Sequence, residues 1–103
     1  MYITPPARMR LIGKPKLREF MDEHADARSQ LESWEAEVEA AEWRTPHDLK
    51  KRYPLASIVG GQQVVFDICR NRYRLWVSIA YQIGIVNLRK IGTHKEYNKW
   101  KII

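Results

Sequence analysis

The sequence predicts an α+β fold in which helices pack on one face of a small twisted, mainly antiparallel β-sheet. Residues 64–91 contain three runs rich in Val, Ile and aromatic residues, separated by short polar breaks. Such runs are typical of an antiparallel meander. Residues 15–42 precede them and carry apolar side chains at helical spacing. Because the helices come first and the strands follow together, the two kinds of element should form separate layers.

The beginning of the chain predicts a lead, a strand and a helix. At 103 residues the chain suits one domain, which we place at residues 9–103. We expect residues 1–8 to be a flexible lead, because two consecutive prolines fit neither a helix interior nor a central strand. A short strand is predicted over residues 9–12, and Pro15 opens a helix that ends near residue 23.

Two further helices are predicted from their capping residues. Asp26, a favourable N-cap residue, begins a second helix that extends to about residue 42. Thr45 caps a short third helix with Pro46 at its first position, and this helix ends before Pro54. The core-facing residues of the second helix are Leu31, Trp34, Val38 and Ala41. Its other face is acidic, and we interpret its carboxylates as solvated surface rather than catalytic pairs. These are Glu32, Glu35, Glu39 and Glu42.

The second half of the chain predicts strands and a final helical turn. The strands are residues 56–59, 64–69, 73–81 and 85–91. Gly92 is predicted to stop the last of them. Thr93 and Glu96 then form a capping pair for a helical turn over residues 94–99.

Alternation along the meander predicts which side chains point away from the core. If Leu75 faces the helices, its neighbour Arg74 lies on the opposite face of the sheet. The residues predicted to share this outer face are Asp67, Arg74, Trp76, Asn87 and Arg89. His94 and Tyr97 should follow at its rim. A solvated face, with arginine stems covering Trp76, explains the pattern as well.

The net charge of +6 divides into three blocks of different sign. Residues 1–18 carry five basic and no acidic side chains, residues 19–43 nine acidic against one basic, and residues 44–103 twelve basic against three acidic. The basic last block suits a polyanion such as RNA or DNA, although an acidic protein partner or mere solubility would explain it too.

Composition and motifs exclude several classes of protein. No run approaches the ~20 apolar residues that cross a bilayer, and no secretory h-region is present. The lone Cys69 forms neither an internal disulfide nor a cysteine-based zinc cluster, so we expect a cytoplasmic protein without membrane contact. Phosphate-loop, zinc-protease, EF-hand and serine-hydrolase signatures are absent, and the histidines lack metal-ligand spacing. We expect no metal and no cofactor.

The segment after the last strand carries residues suited to RNA cleavage. Attack of a ribose 2′-OH on the adjacent phosphate needs a proton acceptor, cations that stabilise the pentacoordinate state, and a proton donor for the leaving 5′-oxygen. Arg74 and Arg89 are candidates for the charge, and His94 or Tyr97 for proton transfer. Trp76 and Tyr97 are candidates for base stacking. Taken alone, the turn at His94 is equally consistent with a structural helix start.

Three segments carry a family resemblance: AEWRTPHDLKKRYPLASIV, VVFDICRNRYRL and IGTHKEYNKW. In their order, and in the order of the predicted elements, they resemble the HigB toxins of the RelE-like superfamily of bacterial type II toxin–antitoxin systems. The resemblance covers about residues 9–100. It implies an endoribonuclease that cuts mRNA during translation on the ribosome and stops growth. It also implies a HigA-like helix-turn-helix antitoxin as partner, with operator DNA bound only through the antitoxin complex.

The resemblance also assigns residues. Arg74 matches the superfamily strand arginine that stabilises the scissile phosphate. His94 falls where the RelE branch has an arginine, and Tyr97 lies in the tail that supplies an aromatic residue there. The strand lysines of that branch do not carry over, because Val65 and Asp67 stand at their places, so the general base stays open. We interpret Asp67 as the salt-bridge partner of Arg74 rather than as that base.

Basic side chains outside this site are our candidates for RNA contacts, although a solvated basic turn explains each of them as well. The full predicted RNA-binding set is Lys50, Lys51, Arg52, Arg70, Arg72, Trp76, Arg89 and Lys95. Two other functions also remain open: a non-catalytic growth inhibitor that binds RNA or the ribosome, and a gyrase poison like the related ParE branch.

Overall fold

In the computed structural model, which describes residues 8–102, four α-helices accompany a five-stranded mixed sheet. In chain order the elements are β1 (Arg10–Ile12), α1 (Lys14–Glu23), α2 (Arg28–Ala40), α3 (Pro46–Arg52), β2 (Ser57–Val59), β3 (Gln63–Ile68), β4 (Tyr73–Ala80), β5 (Ile85–Thr93) and α4 (His94–Tyr97). The α+β prediction is confirmed. Most of the predicted lead, residues 1–7, lies outside the described residues.

The sheet has the strand order β1-β5-β4-β3-β2. The pairs β2–β3, β3–β4 and β4–β5 are antiparallel, whereas β1 lies parallel to the first half of β5. Gly13 turns the chain from β1 into α1 with a φ of 105°. A Cβ at this position would come 2.9 Å from the Cβ of Leu88, so a glycine is needed for α1 to start this close to β5.

One face of the sheet packs against the helices and forms the core. The inward residues of α1 are Leu17, Phe20 and Met21, and those of α2 are Leu31, Trp34 and Val38. They meet the alternate side chains of the strands, and the residues contributed by β4 are Tyr73, Leu75, Val77 and Ile79. The predicted alternation of β4 is therefore confirmed, and Arg74 and Trp76 lie on the other side of the sheet.

The start of the second helix differs from the prediction. Asp26 lies in a 3₁₀ turn, Ala25–Ala27, and does not cap α2, whose N-terminus receives no side-chain hydrogen bond. The Asp26 carboxylate instead accepts hydrogen bonds from the Tyr73 hydroxyl at 2.8 and 2.9 Å and pairs with Arg72 at 2.8 Å. The Tyr73 bond is the main reason that the pKa of Asp26 is lowered. A contact with a strand distant in sequence thus displaces the local cap.

The prediction that the glutamates of the second helix are all solvated was wrong for Glu35. Its side chain is only 11% exposed, because α1 packs beside α2 and covers it with basic residues. Arg18 binds both of its carboxylate oxygens, and Lys14 lies 3.7 Å away. The hydrogen bond from Arg18 lowers the pKa of Glu35. Glu35 therefore ties the two helices together.

The prediction that Gly92 ends the last strand was wrong, because β5 continues pairing with β4 through Thr93. Gly92 lies opposite Arg74 in this register. A Cβ on Gly92 would meet the Glu96 Oε1 at 3.0 Å and the Trp100 ring at 3.1 Å. The glycine thus allows the C-terminal residues to lie directly on the sheet. Among the described residues, no helix is long and apolar enough to span a membrane.

Candidate functional site

Arg74 lies on the outer face of the sheet, which we define as the face turned away from the helices. Asp67 stands opposite it in the β3–β4 register, and its Oδ1 lies 3.1 Å from the Arg74 Nε. The Arg74 side chain is 11% exposed and that of Asp67 is 35% exposed. The interpretation of Asp67 as a salt-bridge partner is confirmed. The bond fixes the orientation of a guanidinium that is mostly withdrawn from solvent.

The segment after β5, residues 93–100, covers part of this face, and we call it the C-terminal cap. Its helix α4 begins with the predicted capping box: Thr93 Oγ1 accepts from the Glu96 N–H at 3.1 Å, and Glu96 Oε1 accepts from the Thr93 N–H at 2.9 Å. The backbone hydrogen bond from Thr93 lowers the pKa of Glu96. The His94 N–H donates to the Arg72 carbonyl at 2.9 Å, which anchors α4 to the β3–β4 turn.

This anchoring brings the three predicted catalytic residues together. The Arg74 guanidinium carbon lies 5.2 Å from the centre of the Tyr97 ring, within range of a cation–π interaction. The His94 and Tyr97 ring centres are 6.2 Å apart. His94 is exposed and Tyr97 is half-buried. From the sheet outward to the solvent, the site thus contains the buried cation of Arg74, the phenol of Tyr97 and the exposed imidazole of His94.

Trp100 completes the cap, and the sequence reasoning assigned it no role. Its ring centre lies 5.7 Å from that of Tyr97, in an edge-on arrangement, and 6.3 Å from that of Trp76. It also packs against Gly92. The spacing of Tyr97 and Trp100, three residues apart along a helical turn, was the signal that would have placed the two rings on one side.

A groove beside the cap carries most of the exposed positive charge of the outer face. Trp76 and four cations, Arg89, Lys90, Lys99 and Lys101, line this groove of about 410 Å³, which we call the basic groove. The sequence reasoning named Trp76 and Arg89 but missed the three lysines. The cluster of lysines in residues 95–101 was an available signal.

A β-bulge explains why two consecutive cations share the basic groove. Lys90 pairs with Trp76 and Leu88 pairs with Val77, so Arg89 has no partner in the register. Strict alternation after Leu88 would have turned Lys90 toward the core. The bulge turns Lys90 outward and brings Ile91 to the core side instead.

Trp76 is fixed and covered by residues of its own chain. Its Nε1 donates to the Gln63 Oε1 at 2.6 Å, and the Arg89 guanidinium carbon lies 5.1 Å from the centre of its ring. With Trp100 nearby, only 4% of Trp76 is exposed. A base would stack on Trp76 only after Arg89 or Trp100 moved aside.

The predicted RNA-binding residues of α3 lie outside this site. The Lys50 ammonium donates to the carbonyls of Pro54 and Ala56 at 2.6 and 2.7 Å, so it holds the loop after α3. Arg52 pairs with Glu37 at 2.5 Å, whereas Lys51 is exposed. Two of the three predicted RNA-binding cations of α3, Lys50 and Arg52, are therefore held by groups of their own chain.

The other predicted cations lie at the end of the sheet that carries the cap. Cys69, Arg70 and Asn71 all have left-handed backbone conformations, with φ of 53°, 53° and 72°. Gln30 supports this turn, because its Oε1 accepts from the Cys69 N–H at 2.8 Å. Arg70 and Lys95 are exposed. Arg72 is occupied by Asp26, as described above.

The residues described here form no group of three or more His, Cys, Asp or Glu side chains suited to a metal ion. The fold and the site together define a small α+β protein with a cationic and aromatic site on the sheet face opposite its helices. Residues 27–100 match the HigB_toxin family, described as the RelE-like toxic component of a toxin–antitoxin system, and the chain belongs to this family. The matched residues include Arg74, the C-terminal cap and most of the basic groove. No curated protein matches the chain.

Family membership makes this chain a toxin whose partner is an antitoxin, and it confirms the family predicted from the three sequence segments. The roles of Arg74, His94, Tyr97 and the RNA-binding set stay predictions.

Proposed function

We propose that this toxin is a metal-independent endoribonuclease that cuts mRNA during translation on the ribosome and so inhibits translation and growth. The observation that carries the proposal is the convergence of three side chains on the outer face: Arg74 lies 5.2 Å from the Tyr97 ring, which is 6.2 Å from that of His94. Their chemistry matches the charge stabilisation and the proton transfers that attack by a 2′-OH requires.

Arg74 stabilises the charge that develops on the phosphate. Asp67 binds the Nε of its guanidinium and the Tyr73 carbonyl accepts from Nη1 at 3.4 Å, so Nη2 is the nitrogen that meets a phosphate oxygen. Tyr97 and His94 stand farther from the sheet and share the two proton transfers, one from the 2′-OH and one to the leaving 5′-oxygen. Separate mutation of Tyr97 and His94 would establish which of them accepts the proton of the 2′-OH and which donates a proton to the 5′-oxygen.

The basic groove holds the RNA backbone on one side of this site. Lys99 belongs to the cap and the other cations of the groove lie next to it, whereas the aromatic ring in its wall, Trp76, is covered by Arg89. Contacts of this kind bind phosphates without reading sequence, and their affinity falls as salt rises. Arg70 in the β3–β4 turn and Lys95 in the cap itself are both exposed and extend the cationic surface. The antitoxin in this proposal is a HigA-like helix-turn-helix protein.

The decisive test replaces Arg74 by alanine. The variant and the wild type are expressed from a tightly controlled promoter, and RNA ends on a translated message are mapped by primer extension. We expect cleavage to fall by about 10²–10³-fold, the usual cost of losing one preorganised charge-stabilising group. Arg28→Ala is the matched control, because Arg28 is an exposed arginine of α2 that pairs with Asp22.

Circular dichroism and thermal unfolding establish whether both variants are folded. A folded Arg74→Ala variant that cuts RNA as fast as the wild type would exclude Arg74 from the reaction. Arg74→Lys separates charge from geometry, since lysine keeps the charge but loses the planar fork that Asp67 orients.

A second candidate function, a non-catalytic inhibitor that binds RNA or the ribosome, is favoured by one observation. The Arg74 side chain is only 11% exposed and is already paired, whereas the cations of the basic groove form an open surface. This function predicts growth arrest without new RNA ends. It also predicts that Lys99→Gln relieves the arrest more than Arg74→Ala does.

A further inference from the structure

A second groove, which the proposed function does not use, lies between α2, the loop after α3 and the edge of β3. It has a volume of about 340 Å³, and we call it the apolar groove. The aromatic rings of Trp34, Tyr53 and Phe66 line it, and Leu55 stands in its wall with 83% of its surface exposed. Because burial of a leucine side chain is favourable, an exposed leucine beside aromatic rings marks a surface suited to a partner.

The backbone beside the apolar groove lacks a strand partner. The β2–β3 register ends where Ser57 pairs with Val65. Within the described residues, no strand therefore pairs with the β2 side of Phe66, Asp67 and Ile68. An unpaired edge of this kind binds an extended peptide through main-chain hydrogen bonds, while adjacent pockets accept its side chains.

The charges around the apolar groove favour a protein over a nucleic acid. Two carboxylates line it, and each is matched by one arginine: Glu37 pairs with Arg52 at 2.5 Å, and Asp67 pairs with Arg74 at 3.1 Å. A phosphate backbone would meet these carboxylates directly. In the basic groove, by contrast, the described residues that form the wall are Trp76 and four exposed cations.

We propose that the antitoxin docks in the apolar groove, with an extended segment that pairs along the β3 edge and inserts one large apolar side chain among the aromatic rings. This inference rests on family membership and is independent of the proposed RNA cleavage. Asp67 both lines the groove and binds Arg74, so the docked segment lies against the ion pair of the candidate active site. The antitoxin would thereby approach Arg74, on β4, from the β3 side of the sheet. Arg89 and Lys90 of the basic groove are on β5, which lies on the other side of β4.

The test measures, by titration calorimetry, the affinity of the full-length toxin for its purified cognate antitoxin. Leu55→Lys places a charge at the exposed wall, and Ser33→Trp fills the groove from an exposed position of α2. Both substitutions change exposed side chains, so the fold should be retained. We expect each to weaken antitoxin binding by at least about tenfold, the cost of disturbing a central contact of an interface. Arg28→Ala is the control, because Arg28 is an exposed arginine of α2 that does not line the apolar groove, and its antitoxin affinity should equal that of the wild type.

A peptide scan identifies the docking segment. Overlapping peptides that cover the antitoxin are tested for binding to the toxin, and we expect one peptide with a large apolar residue to bind the wild type but not Ser33→Trp. Unchanged antitoxin affinity in both groove variants would overturn the proposal. So would weaker RNA binding by Ser33→Trp, which would assign the groove to RNA, or a change in sedimentation that assigns it to a second copy. Absence of RNA cleavage by the free wild-type toxin would count against the proposed function alone.

Discussion

The two faces of the sheet are buried in different ways, although a single strand contributes to both. On β4, Leu75 is fully buried under α1 and α2, and its neighbour Arg74 is 9% exposed on the outer face. The helical face is closed by apolar side chains from elements distant in sequence. The outer face is closed by one short segment, the C-terminal cap, which immediately follows β5.

The difference teaches what each face contributes. A continuous apolar core stabilises the fold, because every side chain removed from water adds to the free energy of unfolding. A partly exposed ion pair such as Arg74–Asp67 contributes little to that sum, since desolvation of the Arg74 guanidinium and solvent screening at Asp67 offset their attraction. If Arg74 has the role proposed above, substitutions on the two faces should separate stability from activity.

The largest expected effect on stability is that of Leu75→Ala on the helical face. Removal of a fully buried leucine should lower the free energy of unfolding by about 2–5 kcal/mol, because the cavity collapses only in part. Urea denaturation measures this change. Leu55→Ala is the matched control, since Leu55 is 83% exposed and its truncation should leave the urea midpoint almost unchanged. Equal losses in the two variants would contradict the assignment of Leu75 to the core.

An intermediate effect is expected for Trp100→Ala, which removes part of the cap from the outer face. The lost ring contacts with Tyr97 and Trp76 should cost roughly 1 kcal/mol of stability. The rate of RNA cleavage should fall about tenfold, because Tyr97 is then no longer held over Arg74. Primer extension and urea denaturation on the same preparations compare the two losses. A large loss of stability with unchanged cleavage would make Trp100 a core residue rather than part of the site.

The smallest effect is a pH dependence of the cap. Hydrogen bonding to Thr93 lowers the pKa of Glu96 below its ordinary value of 4.5, so the folded state binds this proton less readily than the unfolded state does. The stability that the ionised Glu96 carboxylate contributes is therefore present in full above pH 4.5 and is lost as the pH falls through the lowered pKa. Glu96→Gln keeps a side chain that caps but does not titrate. We expect the wild type to lose its small stability advantage over Glu96→Gln in acid, measured by urea denaturation across this pH range. A stability advantage that does not change with pH would contradict a lowered pKa of Glu96 in the folded state.

Parts of the site were predictable because the patterns that encode them are local. The alternation of β4 placed Arg74 on the outer face, and the spacing of Thr93 and Glu96 predicted the capping box that starts α4. The segments quoted above predicted the family. By contrast, Asp26 looked like a helix cap and Glu35 like a solvated residue, because nothing near them in sequence reveals Tyr73 or Arg18 as their partners.

The sequence by itself determined the fold class, the faces of the strands and the toxin family, because these follow from side-chain period, turn residues and short motifs. Only the tertiary structure decided that Lys90 joins Arg89 in the basic groove and that Trp100 lies on Gly92. It also decided that, within the described residues, the second half of β3 has no strand partner on its β2 side. Each of these depends on the register between strands or on packing between segments far apart in the chain. A bulge of one residue reverses the direction of every later side chain, and no local pattern reports it.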